Sequence, residues 1–273
     1  MSRTANRRST APAVRLYRVL RLLLHVFGGL LEIALLFPFY GRLQRNRAVG
    51  RWSARLLAIL RVGIRMQGHA PDDVRRAAVL VANHVSWLDI PVIHSVWQVR
   101  FVAKAEVRRW PVIGWMSARA GTLFVERGKS RHAARINQTI HDAISRGDGI
   151  GIFPEGSTTD GTELMRFHAS LLQPAVVHGA LVYPVALRYR DENGDVNVDA
   201  SYVGDTTLAE SLRMILAQRF IVAEMMFLPP VDAGNKSRRE LAAQMQSAIA
   251  AALNLPASDR KPDMSAGPQG APR

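Results

Sequence analysis

The sequence predicts an α/β protein, with a mixed, largely parallel sheet flanked by helices and an N-terminal two-helix membrane-associating element in front of it. Three observations carry that expectation. From residue 77 onward, short apolar runs alternate with amphipathic helical stretches. Residues 77–82 (AAVLVA) are Val-rich and lack polar alternation, as a strand buried on both faces requires. Residues 1–65 contain thirteen arginines and one acid, Glu32, so +12 of the net +14 lies in the first quarter.

That basic quarter is also the most apolar. Residues 22–40 (LLLHVFGGLLEIALLFPFY) carry only His25 and Glu32 as polar interruptions, and their length is near the ~20 residues that cross a bilayer. Arg15, Arg18 and Arg21 precede the run, and Arg42, Arg45 and Arg47 follow it. Equal charge at both ends gives the positive-inside rule no vote and suits a segment whose ends stay on one side. A crossing and a same-side dip both remain open. A second helix is expected over 48–64, with Val49, Trp52, Leu56 and Ile59/Leu60 on one face and Arg47, Arg51 and Arg55 on another. Arginines interleaved with aliphatic stretches point to anionic membrane lipids as partner and away from nucleic acid.

The organisation expected is a basic, disordered 1–15, the two-helix element 16–66, a catalytic-type domain 67–254, and a disordered tail 255–273 rich in Pro, Ala, Ser and Gly. Within the domain, strands are expected at 77–82, 100–105, 122–125, 149–153, 182–189, 196–203 and 220–228. Helices are expected at 87–96, 111–118, 131–145 (Ser130 as N-cap), 162–179, 208–217 and 238–252. Pro184 interrupts its strand, which suggests an edge or a strand start. There is no cysteine, which excludes disulfides, thiolate metal sites and thiol nucleophiles.

Chemistry gathers at Asn83-His84-x-Ser86-x-x-Asp89, the corner after the first buried strand. Residues i and i+5 share no helix face, so His84 and Asp89 converge only if His84 ends the strand and Asp89 opens the next helix. Asp89 would then fix the imidazole tautomer, leaving the other nitrogen to take a proton from a hydroxyl. No Ser is set in G-x-S-x-G, so a covalent hydrolase has little support. Three further stretches end strands with polar groups: Gly121-Thr-Leu-Phe-Val-Glu126-Arg127, Phe153-Pro154-Glu155-Gly156-Ser157-Thr158, and Lys104 in VAKAE, a lone cation in an apolar strand. His141-Asp142 lacks partner ligands for a metal, and His94 and His168 read as pocket-rim or structural. Met225-Met226-Phe227 reads as core strand.

In this order and spacing, the four motifs (NHxSxxD, GxxFVER, FPEGS and Val182-x-Pro184-Val185) resemble the glycerophospholipid acyltransferases, typified by 1-acyl-sn-glycerol-3-phosphate acyltransferases. The resemblance covers about residues 77–190. It implies a membrane-associated O-acyltransferase of phospholipid biosynthesis at the cytoplasmic face of the inner membrane. His84 would deprotonate the acceptor hydroxyl, oriented by Asp89, and the oxygen would attack the thioester of acyl-CoA or acyl carrier protein. No metal or cofactor and no acyl-enzyme are implied. Lys104 and Arg127 would hold the acceptor's phosphate, with Ser157 and Thr158 beside it. Glu155 and Gly156 would shape the acceptor pocket, while Asn83, Ser86, Gly121, Phe153, Pro154 and Pro184 would support the site. A two-helix element dipping into one leaflet is also a feature of the family.

One departure matters. The family's third motif commonly continues Thr-Arg, and that arginine helps bind phosphate; here Ser157-Thr158-Thr159-Asp160 follows. A bidentate guanidinium–phosphate contact is hard to replace with a hydroxyl. The lysolipid acceptor is expected to be 1-acyl-sn-glycerol 3-phosphate, giving phosphatidate, with lyso-ornithine lipid as the alternative. A catalytically inactive membrane-surface binding protein is a third reading, disfavoured by the presence of His84, Asp89 and Glu155.

Overall fold

Buried strands and the helices that cover them account for most of the chain. The computed structural model describes residues 9–71, 78–125 and 130–256. The termini expected to be disordered therefore fall, at 1–8 and 257–273, outside the described residues. The strands are β1 (Val62–Gln67), β2 (Ala78–Ala82), β3 (Arg100–Lys104), β4 (Leu123–Val125), β5 (Ile150–Ile152), β6 (Leu181–Arg190), β7 (Ile221–Phe227) and β8 (Val231–Asp232). Among the described residues they form one sheet in the order β1-β7-β6-β2-β5-β3-β4, with β8 also on β6. β6, β2, β5, β3 and β4 run parallel, while β7 and β8 are antiparallel to β6. The sheet is mixed and largely parallel, as expected.

β2 shows why its sequence is uniformly apolar. Ala78, Leu80 and Ala82 face one core and Val79 and Val81 the other, all at most 1% exposed. The first core is covered by α2 (Arg42–Leu60), α3 (Asp89–Val96) and α7 (Leu208–Ala217); the second by α5 (Ser130–Ser145), α6 (Gln173–Val177) and α8 (Arg238–Leu253). Capping boxes start α7 (Thr207 with Glu210) and α8 (Ser237 with Glu240), and each satisfies backbone N–H groups that the first turn leaves open. Between β3 and β4 lies α4 (Ile113–Arg119).

The N-terminal element differs from its expected bounds. α1 spans Pro12–Leu35, so helix begins inside the segment expected to be disordered and ends before residue 40. Pro12 sits in the first turn, where its missing N–H costs nothing, and Pro38 disfavours helix beyond the turn that follows. α2 stops at Leu60 because Arg61 takes φ 61, and the chain enters β1, beside β7, where helix had been expected to continue to 64. No helix among the described residues is long and apolar enough to cross a membrane.

Three further expectations are corrected. Residues 162–179 do not form one helix; only a 3-10 turn (Ala169–Leu172) and α6 appear. The backbone N–H groups of Met165, Phe167 and His168 bond instead to Glu155, Gln246 and the Pro154 carbonyl, and Pro174 opens α6 because it cannot sit in a helix interior. Residues 196–203 give one bridge, Val196 to Arg190, and a 3-10 turn (Val198–Ala200), with no strand. Pro184 lies inside the central strand β6, paired with Val81. Its carbonyl accepts from Leu228 N–H, so its missing N–H points to the same side, where β7 has ended and β8 has not begun. The sheet needs no donor there.

Candidate functional site

Parallel β2, β5, β3 and β4 deliver their C-terminal ends to one edge of the sheet, the usual place for a ligand crevice. His84 follows β2, the Phe153–Thr158 loop follows β5, and Lys104 ends β3. Arg127, expected to hold phosphate, and its neighbour Glu126 lie outside the described residues.

The His84–Asp89 convergence expected from the sequence is present. His84 Nδ1 lies 2.7 Å from Asp89 Oδ2. The same oxygen accepts the backbone N–H groups of Val85 (2.8 Å) and Ser86 (3.0 Å). Asp89 Oδ1 accepts the Tyr189 hydroxyl at 2.6 Å. The carboxylate is fully buried, whereas 21% of the His84 side chain is exposed. Four donors on one buried carboxylate hold it in place, since each would be costly to leave unpaired. With Nδ1 turned to Asp89, Nε2 is the nitrogen left for a substrate.

Aromatic packing fixes the ring plane. His84 stacks on Phe153 (centroids 4.0 Å apart, 10° between planes), and Phe153 stacks on Phe101 (5.2 Å, 1°). Phe101 can lie across β5 because its register partner is Gly151; a Cβ there would come within 2.6 Å of the Phe101 ring.

The supporting residues act mainly on backbone. Asn83 donates to the Leu187 carbonyl (2.9 Å) and accepts the Leu187 N–H (2.7 Å), so its amide continues the β2–β6 ladder past the strand end. Glu155 is fully buried and accepts His84 N–H (2.7 Å) through one oxygen and Met165 N–H (2.9 Å) through the other. Burial pushes its carboxyl up to about 8, against the opposing pull of those two donors. Gly156 takes φ 81 in the turn. Thr158 donates to the Tyr202 carbonyl, Tyr202 N–H to the Val85 carbonyl, and Thr159 N–H to the His84 carbonyl. Ser86 is buried, its Oγ without a hydrogen-bond partner among the described residues. Ser157 is half-buried in the loop after Gly156. Gly121 (φ 93) turns the chain into β4, its carbonyl accepting from Arg100 Nε at 2.7 Å. Pro154 serves through its carbonyl, as above.

Sequence reading missed Tyr189, Tyr202 and Phe101. Period-2 alternation in β6 does put Tyr189 on the same face as Val185 and Leu187, but nothing local says that Asp89 lies opposite. His94 is structural: its Nε2 is 2.9 Å from the Val99 carbonyl, and burial lowers its pKa to about 4.

An α/β sheet carrying a buried carboxylate behind a part-exposed imidazole defines a protein able to perform general-base chemistry on a hydroxyl. Residues 64–188 match the acyltransferase family. The chain is 40% identical over 209 residues to lyso-ornithine lipid O-acyltransferase of Pseudomonas aeruginosa, covering 77% of this chain and 79% of that one. It is 37% identical over 196 residues to 1-acyl-sn-glycerol-3-phosphate acyltransferase of Neisseria meningitidis serogroup B, covering 72% and 76%. The crystal structure of the 1-acyl-sn-glycerophosphate acyltransferase PlsC from Thermotoga maritima shares the fold, with TM-score 0.61 and 22% identity over 88% of this chain and 96% of that one. The chain belongs to the lysolipid acyltransferase family, and it is an O-acyltransferase of that type.

Proposed function

We propose that the protein transfers a fatty acyl group from a thioester, acyl-CoA or acyl carrier protein, to the free hydroxyl of a lysolipid, with His84 as general base. The observation that carries this reading is the 2.7 Å contact between His84 Nδ1 and the buried Asp89 carboxylate. His84 Nε2 takes the hydroxyl proton as the acceptor oxygen attacks the thioester carbonyl. Asp89 holds the imidazolium that forms. The tetrahedral adduct then collapses, breaking the carbon–sulfur bond, and the departing thiolate takes the proton back from Nε2. Ester and free thiol leave, and no cofactor or metal enters. General-base assistance of this kind contributes about 10²–10⁴-fold. His84→Ala is expected to abolish turnover in a folded protein; retained turnover would remove the mechanism.

The expected acceptor is 1-acyl-sn-glycerol 3-phosphate, its phosphate met by Lys104 and Arg127. One observation favours lyso-ornithine lipid as a second reading. Residues 157–160 after the Gly156 turn offer three hydroxyls and a carboxylate but no cation, the next along the chain being Arg166, and Asp160 Oδ1 is held by Thr162 N–H (2.9 Å) and Oγ1 (2.6 Å). A carboxylate one residue beyond Thr159, whose N–H bonds the His84 carbonyl, suits an acceptor with an ammonium group better than one with a terminal phosphate. Purified protein, one acyl-CoA and the two acceptors in parallel separate the readings. Preference for lyso-ornithine lipid that Asp160→Asn weakens supports the second, and preference for the phosphate-bearing acceptor supports the first.

Membrane association through α1 belongs to the same proposal. Leu16, Leu20, Leu23, Phe27, Leu31 and Leu35 recur at helical spacing and are exposed. A long apolar stripe open to solvent suits a leaflet surface. The donors named are cytoplasmic, which puts the site on that face. Several N-terminal arginines serve the protein itself: Arg18, Arg42 and Arg45 each donate to backbone carbonyls. Arg15 does the same, Arg51 and Arg65 pair with Glu32 and Glu224, and the exposed Arg21, Arg47 and Arg55 are left to meet anionic lipid.

A further inference from the structure

The loop that follows β5 is tied to the catalytic corner from two sides. Thr159 N–H donates to the His84 carbonyl at 2.9 Å, and Tyr202 N–H donates to the Val85 carbonyl at 2.9 Å. The Thr158 hydroxyl donates in turn to the Tyr202 carbonyl. Three segments far apart in sequence, at 84–85, 158–159 and 202, are thus bonded pairwise around one point. Val85 adds a packing contact, since its two Cγ atoms stand 3.5 and 3.7 Å from where a Cβ on Gly161 would lie. Thr159 and Ser201 are each 5% exposed, so the junction itself is under cover.

Tyr202 is carried there by the connection from β6 to α7, which is pinned before it arrives. Asn197 N–H donates to the Tyr189 carbonyl (2.9 Å), and Ala200 is fully buried in the first core. β5 and β6 lie on either side of β2, so the loop after β5 crosses the end of β2 to meet a residue brought from β6. Tyr202 also lies beyond residues 64–188, the part of the chain that matches the acyltransferase family. With its one proton given to a carbonyl, the Thr158 hydroxyl cannot also donate to a phosphate oxygen, the role expected from the sequence. Its neighbours Ser157 and, one residue beyond Thr159, Asp160 are half-buried polar side chains on the same loop.

We infer that Thr158 and the backbone of Tyr202 form a clasp that sets where the loop bearing Ser157 and Asp160 lies against His84, and so governs recognition of the acceptor without touching it. The clasp has this role within the proposed transfer to a lysolipid hydroxyl. Opening it spares the proton-transfer pair, because the donors to Asp89 come from His84, Val85, Ser86 and Tyr189 and none comes from the loop. The loss therefore falls on the acceptor's binding, by the about two- to tenfold that one neutral hydrogen bond is worth.

The test pairs Thr158→Val, which keeps the shape and removes the donor, with Thr158→Ser, which keeps the donor. Amide hydrogen exchange in detergent-solubilised protein, without substrate, reads the clasp itself. In Thr158→Val the peptides containing Thr159 and Tyr202 are expected to exchange about two- to tenfold faster, both together, with the rest of the protein unchanged. Steady-state kinetics with one acyl-CoA and the lysolipid that the wild type prefers reads the consequence. Acceptor KM should rise about two- to tenfold with acyl-CoA KM unchanged, and Thr158→Ser should restore both exchange and KM. A raised acceptor KM with unaltered exchange would make Thr158 a direct ligand and overturn the clasp. Faster exchange with the two KM values unaltered, or moved by the same factor, would leave a merely structural contact and overturn its part in recognition. No change in either measurement would overturn both. A wild type that acylates neither lysolipid would instead overturn the proposed function, and the recognition role with it, whatever the exchange shows.

Discussion

The Tyr189 hydroxyl reaches across 100 residues of sequence to donate to Asp89 Oδ1 at 2.6 Å. Tyr189 is itself only 2% exposed, and burial together with the Asp89 charge pushes its pKa well above the ordinary tyrosine range. It remains a donor at any working pH. Buried and spent on Asp89, its hydroxyl acts by positioning the carboxylate that positions His84. Tyr189→Phe removes one of four donors to Asp89, a hydrogen bond to charge worth about 1.5–3 kcal/mol. Turnover is expected to fall about tenfold or more with KM for the thioester little changed, and the acid limb of the pH–rate profile should move. An unaltered profile and rate would show that the contact is only structural.

Asp89→Asn keeps the shape but presents an amide that cannot accept from every donor now converging on it. The imidazole is then free to turn its tautomer. Activity is expected to drop by about 10²–10⁴-fold, and the double variant with His84→Ala should be no slower than His84→Ala alone. Additive losses in steady-state kinetics would mean that the two residues do not act as a unit.

Glu155 gives a pH dependence of stability. Its folded pKa is raised by burial to about 8 from 4.5, so the folded protein binds the extra proton through that window. Its contribution is fully present below the unfolded value, and declines as pH rises through about 8. Thermal unfolding in detergent should therefore show stability falling between pH 5 and 8. In Glu155→Gln the slope should flatten while stability drops at every pH, because the amide nitrogen cannot accept the second backbone N–H. A wild-type curve that rises over this interval would contradict the assignment.

The exposed stripe of α1 can be tested without disturbing the core. Leu20, Leu24 and Phe27 are all more than half exposed, so Leu20→Glu with Phe27→Glu should leave the melting temperature within a few degrees and shift the protein from the membrane to the soluble fraction. Removing all of residues 1–65 is a poorer experiment. Leu56, Leu57 and Leu60 belong to the main core, and β1 pairs with β7. Undiminished pelleting of the double variant with membranes would refute the anchor.

Local pattern was enough wherever partners are near in sequence. The uniform apolarity of β2, the bounds of α7 at 208–217 and the meeting of His84 with Asp89 all follow from periodicity, capping and a strand-to-helix corner. Tertiary structure alone decided where backbone groups found distant partners. Helix fails at 162–168 because Glu155, Pro154 and Gln246 take its N–H groups, and Pro184 is tolerated in a central strand because two neighbouring strands leave a gap beside it. Likewise Tyr189 meets Asp89, and Arg18 meets the end of α7, only after the sheet has closed. A hydrogen bond's cost and reward depend on what lies opposite, and a residue's neighbours in sequence do not carry that information.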